Sequence, residues 1–204
     1  MLVPSMTLEE IRREVEKDYP ILLRKTSYVL IKIAKRLSIA QKEKGFVQFF
    51  EFCSKYRNHW IYRTIITKKQ SFVSSLLLYH NGRGHVAIAV TQHRDIIYYT
   101  AHFFKRYNER RKLNLKTNDE IYHTFLNENI FFKFEKLQEV EPGIFKIFCV
   151  IDSGIVLGMY NSHLHIVKAN TFISHDMLRK DQLALKRKLI NELEKYKHLS
   201  DCFH

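Results

Sequence analysis

Between Trp60 and Ile173 the chain is made of short β-branched and aromatic runs parted by turn residues, and this alternation restricts the fold more than any other feature. Trp60-Ile-Tyr-Arg-Thr-Ile-Ile-Thr67, Phe72–Tyr79 and His85–Thr91 read as strands. His80-Asn-Gly-Arg-Gly84, between the second and third, is a hairpin signal, because Asn and Gly tolerate the positive φ of a tight turn. Asp95–Tyr99 is a further extended run. After a helical interval come Phe131–Phe134, Ile144–Ile151, Gly154–Tyr160 and His163–Ile173, with only a few residues between them. Connections that short join antiparallel neighbours, since a parallel pair needs a crossover of about a dozen residues or more.

The flanks read as helix. Thr7-Leu-Glu-Glu10 is a capping box, and the helix it opens is expected to end near Asp18-Tyr19-Pro20, where proline removes an amide donor. From Leu22 to Gln41, apolar residues recur at Leu22, Val29, Ile33, Leu37 and Ala40, opposite Arg24, Lys25, Lys32, Lys35 and Arg36. Such a basic amphipathic helix can lie on a membrane or along a nucleic acid; the reading preferred here is a surface helix whose apolar face packs at home. Gly45 interrupts it, and the spacing of Phe46, Phe49, Phe50 and Cys53 predicts another short helix. A helix is expected over Asn118–Asn127, with Ile121 and Phe125 on one face. A last helix begins at Ser174 or Asp176 and runs through Leu178 and Leu185 to about Tyr196. The fold class is therefore α+β: an antiparallel sheet with helices at both ends and a helical N-terminal part. Residues 1–55 are expected to form that helical part and 56–204 an α+β domain, together one compact unit.

Composition excludes several classes. With 46% hydrophobic and 13% aromatic residues, the 204-residue chain can bury a core and is not a disordered polyampholyte. Its net charge of +13 favours polyanionic partners, RNA or another nucleic acid first among them. Cys53, Cys149 and Cys202 are far apart, and no CxxC occurs, which argues against a zinc finger and against a disulfide framework. No basic segment followed by an apolar run opens the sequence, and no apolar stretch approaches the roughly 20 residues of a membrane span, so a cytoplasmic protein is expected.

Chemistry concentrates in Tyr99-Thr-Ala-His102-Phe-Phe-Lys-Arg106-Tyr-Asn-Glu109-Arg110-Arg111-Lys112. Thr100 sits where a helix cap is wanted. On a helix each four-residue step drifts by about 40°, so His102, Arg106 and Arg110 form one slanting stripe. Phe103, Phe104 and Tyr107 lie beside it on the face that packs inward. An imidazole can take or give a proton at neutral pH, and guanidinium forks match phosphate oxygens. Metal-free RNA cleavage needs a base or acid for the 2′-hydroxyl and leaving oxygen, plus cations for the charge that builds on phosphorus. Glu109, on the flank of the stripe, could orient His102 or act as a base itself. Lys105, Arg111 and Lys112 extend the basic surface for nucleic-acid binding. Near the end of the last strand, Thr171 or Ser174 could donate a hydrogen bond to a phosphate, and the helix start after Ser174 favours anions. The plainer reading is that Ser174 or Asp176 caps the helix and that the cations solvate a surface.

A His-x3-Arg-x3-Arg helix, a second helix, a run of antiparallel strands and a Thr-bearing terminal strand together resemble the RelE/barnase-like toxin superfamily over about residues 98–177. The likeness is to a group whose helix reads T-x-H-x3-R-x3-R. The resemblance implies a metal-independent ribonuclease without cofactor, the toxin of a toxin–antitoxin pair with an acidic antitoxin-like partner. It carries His102, Arg106, Arg110 and Thr171 over as site residues. This chain departs from that pattern in its long N-terminal part, its strands before the motif helix and its longer second helix.

Two other readings stand beside it. A non-catalytic nucleic-acid-binding protein of phage or plasmid origin would use the same basic surface. A metal-dependent hydrolase would place a metal on His163 and His165, two imidazoles on one face of a strand, with His175, Asp152 or Asp176 as further ligands. No HExxH accompanies them, and His80–His85 lacks the Lys-Ser/Thr ending of a P-loop.

Overall fold

The first helix continues through its proline. In the computed structural model, which describes residues 1–69, 71–82, 84–91, 94–129 and 132–201 (193–201 as backbone only), α1 spans Leu8–Ala34 as one element. The expected end near Pro20 is corrected by packing. Ile11, Val15, Asp18, Leu22 and Thr26 are all buried and keep one helical stripe on both sides of the proline. Pro20 and Glu16, whose carbonyl the proline leaves without its amide, are exposed, so water can satisfy what the helix cannot. The capping box forms as read. The Thr7 amide donates to Glu10 Oε2 at 2.7 Å, and the Glu10 amide donates to Thr7 Oγ1 at 3.3 Å. A six-residue helix, α2 (Ile39–Lys44), follows, opened by a second capping box at Ser38 and Gln41.

The helix expected over Phe46–Cys53 is a strand, β1, and residues 1–55 are to that extent not wholly helical. Its run of Phe-Val-Gln-Phe-Phe-Glu-Phe-Cys fits alternation as well as helical spacing, and short apolar runs are settled by what they can pair with. Here the partner is β2 (His59–Ile66), antiparallel and in continuous register from Phe46 opposite Ile66 to Cys53 opposite His59. Phe50 stacks on Tyr62 across that pair, ring centres 5.2 Å apart.

The chain divides into two compact units, Met1–Ala101 and His102–His204. Among the described residues the first unit holds α1, α2 and an antiparallel meander. β1 and β2 are continued by β3 (Ser71–His80), β4 (His85–Val90) and β5 (Ile96–Tyr99). The Asn-Gly hairpin is present: the Asn81 amide donates to the Gly84 carbonyl at 3.1 Å, and Gly82 takes φ +81°. Arg83 in that loop, Phe131 and Cys202 lie outside the described residues. α1 packs on β2 through Asp18, which is wholly buried and accepts from Trp60 Nε1 at 2.7 Å and from Asn58 Nδ2 at 3.1 Å.

The second unit contains α3 (Ala101–Arg110, entered from the last residue of the first unit) and α4 (Asn118–Glu128, capped by Thr117). The strands β6 (Phe132–Glu141), β7 (Ile144–Ile151), β8 (Gly154–Asn161) and β9 (Ile166–Ile173) follow as an antiparallel meander. A 3-10 turn over His175–Met177 leads into α5 (Lys180–Asp201), so the last helix starts some residues after Ser174 and Asp176. Side chains sort to two faces of this sheet. Phe148, Val150, Ile155, Leu157 and Ile173 pack with Leu185 and Leu189 of α5. Phe172, one residue out of phase, meets the rings of Phe103 and Tyr107 on α3 at 6.2 and 5.2 Å. The observed class is α+β, as the strand and helix patterning indicates. No described helix is long and apolar enough to cross a membrane.

Candidate nucleic-acid interface

α3 is held by its aromatic side. Phe103, Phe104 and Tyr107 are at most 3% exposed and meet Phe125 and Tyr122 of α4 in edge-to-face contacts. With that side against the core, the opposite line of the helix must face water. His102, Lys105 and Glu109 are exposed, and Arg106 is half-buried beside them. Successive turns place His102 and Arg106 about 6 Å apart along the axis. No hydrogen bond or ion pair reaches His102 among the described residues.

The drift of the stripe decides its far end. Two four-residue steps from His102 rotate Arg110 by about 80°, toward the sheet. There its Nη1 donates to the main-chain carbonyl of Phe172. Arg106 instead donates through Nη1 to Glu109 Oε2 at 2.8 Å, so Glu109 engages Arg106 and not His102. The three members of the stripe thus stand in three environments: an open imidazole, a guanidinium in an exposed ion pair, and a guanidinium anchored to β9.

The remaining candidates separate. Thr171 is half-buried, out of phase with Phe172 and opposite Leu157, which places it on the α5 face of the sheet and away from α3. Ser174 is 6% exposed, and among the described residues its hydroxyl is buried without a hydrogen-bond partner. Arg111 donates to Glu128 Oε1 at 3.0 Å, which raises its already high pKa, while Lys105 and Lys112 are exposed. Lys112 lies within electrostatic reach of the Asp176 carboxylate. The end of α3 and the turn after β9 therefore share one charged neighbourhood, even though Thr171 does not face it.

His163 and His165 are not on a strand. β9 begins at Ile166, and residues 162–165 form the turn that joins it to β8. His165 takes φ +48° with its Nδ1 3.3 Å from the Tyr160 hydroxyl, and the ring of His163 occupies the space over Gly143. Each imidazole is thus drawn to a different neighbour. Among the described residues no group of three or more His, Cys, Asp or Glu stands close enough to hold a metal ion.

Two features of this unit escape the sequence. The Tyr107 hydroxyl donates to Glu128 Oε2 at 2.5 Å, and burial together with that carboxylate pushes the phenol's pKa well up. Tyr107 and Arg111, four residues apart, thus converge on one carboxylate at the end of α4. His175 is the other: Nε2 lies 3.3 Å from the Asp152 carbonyl, and Nδ1 is buried without a hydrogen-bond partner among the described residues. Burial lowers its pKa, and Lys186 and Arg111 lower it further. With Nε2 donating, the nitrogen free to accept is the buried one, which gives His175 no route to a substrate proton.

A hollow of about 460 Å³ lies on the α5 side, lined by Leu137, Phe148, Leu157 and Leu185 with Lys146 and Asp181 at its polar margin. It belongs to the face opposite Phe172 and so is not the setting of the α3 residues. No family model, curated protein or solved structure matches this chain. The outer line of α3 can offer cations to a row of phosphates and one titratable group to whatever they hold.

Proposed function

We propose that this protein binds RNA along the outer line of α3, with Lys105, Arg106 and, just past the helix end, Lys112 contacting phosphates. The observation that carries the reading is the division of labour on that helix. Its aromatic side is fully committed to the core, which leaves His102, Lys105 and Arg106 on a surface that no packing requirement explains. A net charge of +13 supports it by drawing any polyanion toward the protein before contact. Binding should weaken steeply with salt, because each phosphate neutralised releases counterions. Replacing Lys105 and Lys112 by Gln should flatten the salt slope by about 0.7 per lost cation on single-stranded RNA. Salt-independent binding, or a slope unmoved by both substitutions, would remove this reading.

A second reading is favoured by one observation, the exposed imidazole of His102 one turn from Arg106. In that reading the protein is a metal-independent ribonuclease: His102 takes the proton of the 2′-hydroxyl as its oxygen bonds to phosphorus, the bond from phosphorus to the 5′-oxygen breaks, and the leaving oxygen takes a proton from water. Arg106, aimed by Glu109, stabilises charge on the phosphorus. The ion pair between Arg106 and Glu109 is exposed and weak by nature, so a phosphate can displace the carboxylate. An acidic protein partner that covers the same line would block either activity by occupying the cations.

A further inference from the structure

α1 carries two helices' worth of different chemistry in one element. Its first half is electrically balanced: Arg12 pairs with Glu16, Arg13 with Glu9 and Lys17 with Glu14. From Tyr19 to Lys42, through the end of α1 and into α2, there is no Asp or Glu, while Arg24, Lys25, Lys32, Lys35, Arg36 and Lys42 are all cationic. Among the described residues none of these six is held in an ion pair. Arg24, Lys25, Lys32, Lys35 and Arg36 are exposed, and Lys25 lies over the ring of Phe52 at 5.9 Å.

The same stretch exposes apolar surface. Leu23 is 45% exposed, Tyr28 65%, Ile31 58% and Ile39 of α2 69%. On a helix of 3.6 residues per turn, Leu23, Ile31 and Tyr28 fall within about 140° of one another, centred opposite the buried stripe of Ile11, Val15 and Leu22. The inward stripe itself thins out: Thr26 is its last buried member, and Val29, Ile33 and Leu37 are only half-buried. Of the apolar face expected to pack at home, Leu22 is buried, Val29, Ile33 and Leu37 are half-buried, and Ala40 is exposed.

We propose that the distal half of α1, with Ile39, docks on an anionic lipid bilayer. The electrostatics choose the partner's sign: among the described residues these six cations make no ion pair, and the first carboxylate after Asp18 is Glu43, which Lys68 holds, so the stretch complements a negative surface. The aliphatic groups choose a bilayer over a nucleic acid. Leu23, Ile31 and Ile39 gain nothing from phosphodiesters, but they gain burial at the boundary between headgroups and acyl chains. A convex face with Tyr28 at its side and long Lys and Arg stems around it suits a deformable surface: the stems lie along the apolar layer while their charges reach the headgroups. The helix would lie on the membrane and not span it.

The test is flotation of the full-length protein with vesicles of phosphatidylcholine containing phosphatidylglycerol, against vesicles of phosphatidylcholine alone. The protein should float with the first and not the second, and salt should release it. Tyr28→Ser with Ile31→Ser should abolish flotation, and Lys32→Gln with Lys35→Gln should weaken it about five-fold per cation. All four positions are exposed, so circular dichroism and melting should match the unsubstituted protein. Lys105→Gln with Lys112→Gln, in the other unit, should leave flotation unchanged. The proposal is overturned by failure to float with anionic vesicles, by flotation indifferent to Tyr28 and Ile31, or by equal loss in the Lys105/Lys112 control. It is overturned too if the α1 variants lose RNA affinity and keep flotation, which would assign the face to nucleic acid.

Discussion

Arg110 donates a hydrogen bond through Nη1 to the backbone carbonyl of Phe172, 62 residues along the chain, and so fastens the end of α3 to β9. The contact has a structural consequence that can be separated from any role in binding. A charged donor to a partly buried carbonyl contributes about 1.5–3 kcal/mol. Arg110→Ala should lower the unfolding free energy by that amount in urea titrations, with Arg110→Lys recovering part of it. RNA affinity measured well below the transition should fall little. Unchanged stability together with collapsed affinity would show instead that Arg110 meets the ligand directly.

That contact also marks how far the motif could be read from sequence. Helical spacing put His102, Arg106 and Arg110 on one line, and α3 (Ala101–Arg110) is a helix as the spacing indicates. What spacing could not say was where the core lies around the helix, and that turns Arg110 into an anchor while His102 stays open. For Thr171, strand alternation gives a side of the sheet but not what packs there, and that side is the one Leu157 shares with α5. The strands over His59–Ile66, Ser71–His80, Ile144–Ile151 and Gly154–Asn161 were legible because β-branched runs bounded by turns have few other ways to bury both faces. Pro20 and the run Phe46–Cys53 were not, since both were decided by distant partners: the buried stripe of α1 and the pairing edge of β2.

Trp60 joins α1 to β2 by donating through Nε1 to Asp18 at 2.7 Å, in a site wholly closed to water. Trp60→Phe keeps most of the apolar volume but leaves the carboxylate with the Asn58 side chain, which donates to it at 3.1 Å. A buried acceptor stripped of a partner costs about 1–3 kcal/mol, more when charged. The variant should therefore melt earlier than the loss of ring area explains. Adding Asp18→Leu to it should recover stability, because an apolar pair removes the unmet buried acceptor. No recovery in the double variant would show that Trp60 acts through packing alone.

His175 should make the protein less stable in mild acid. Burial, with Lys186 and Arg111 nearby, holds its folded pKa below the ordinary value of about 6.5. Above that value the ring is neutral in both states and contributes no pH dependence. As pH falls below it, the unfolded chain takes up a proton that the folded chain resists, so stability decreases until the folded pKa is passed. Urea titrations between roughly neutral pH and pH 5 should show this loss, and His175→Asn should reduce it. A slope unchanged by the substitution would assign the acid sensitivity to other groups.

His102 separates the two functional readings. If the imidazole moves a proton in RNA cleavage, the protein should cut RNA in the presence of EDTA and leave 2′,3′-cyclic phosphate ends, because an internal hydroxyl attack needs no metal. His102→Ala should then lower the rate by about two to four orders of magnitude while RNA affinity changes little. Arg106→Ala should reduce the rate at saturating RNA if the guanidinium meets the transition state, and only the affinity if it docks a ground-state phosphate. Thr171→Ala should affect neither, since that side chain faces the α5 side of the sheet; a rate loss there would restore the site that the superfamily resemblance implies. Binding that survives His102→Ala, with no cleavage by either protein, would leave α3 as an RNA-binding surface whose histidine is one more polar group facing the phosphates.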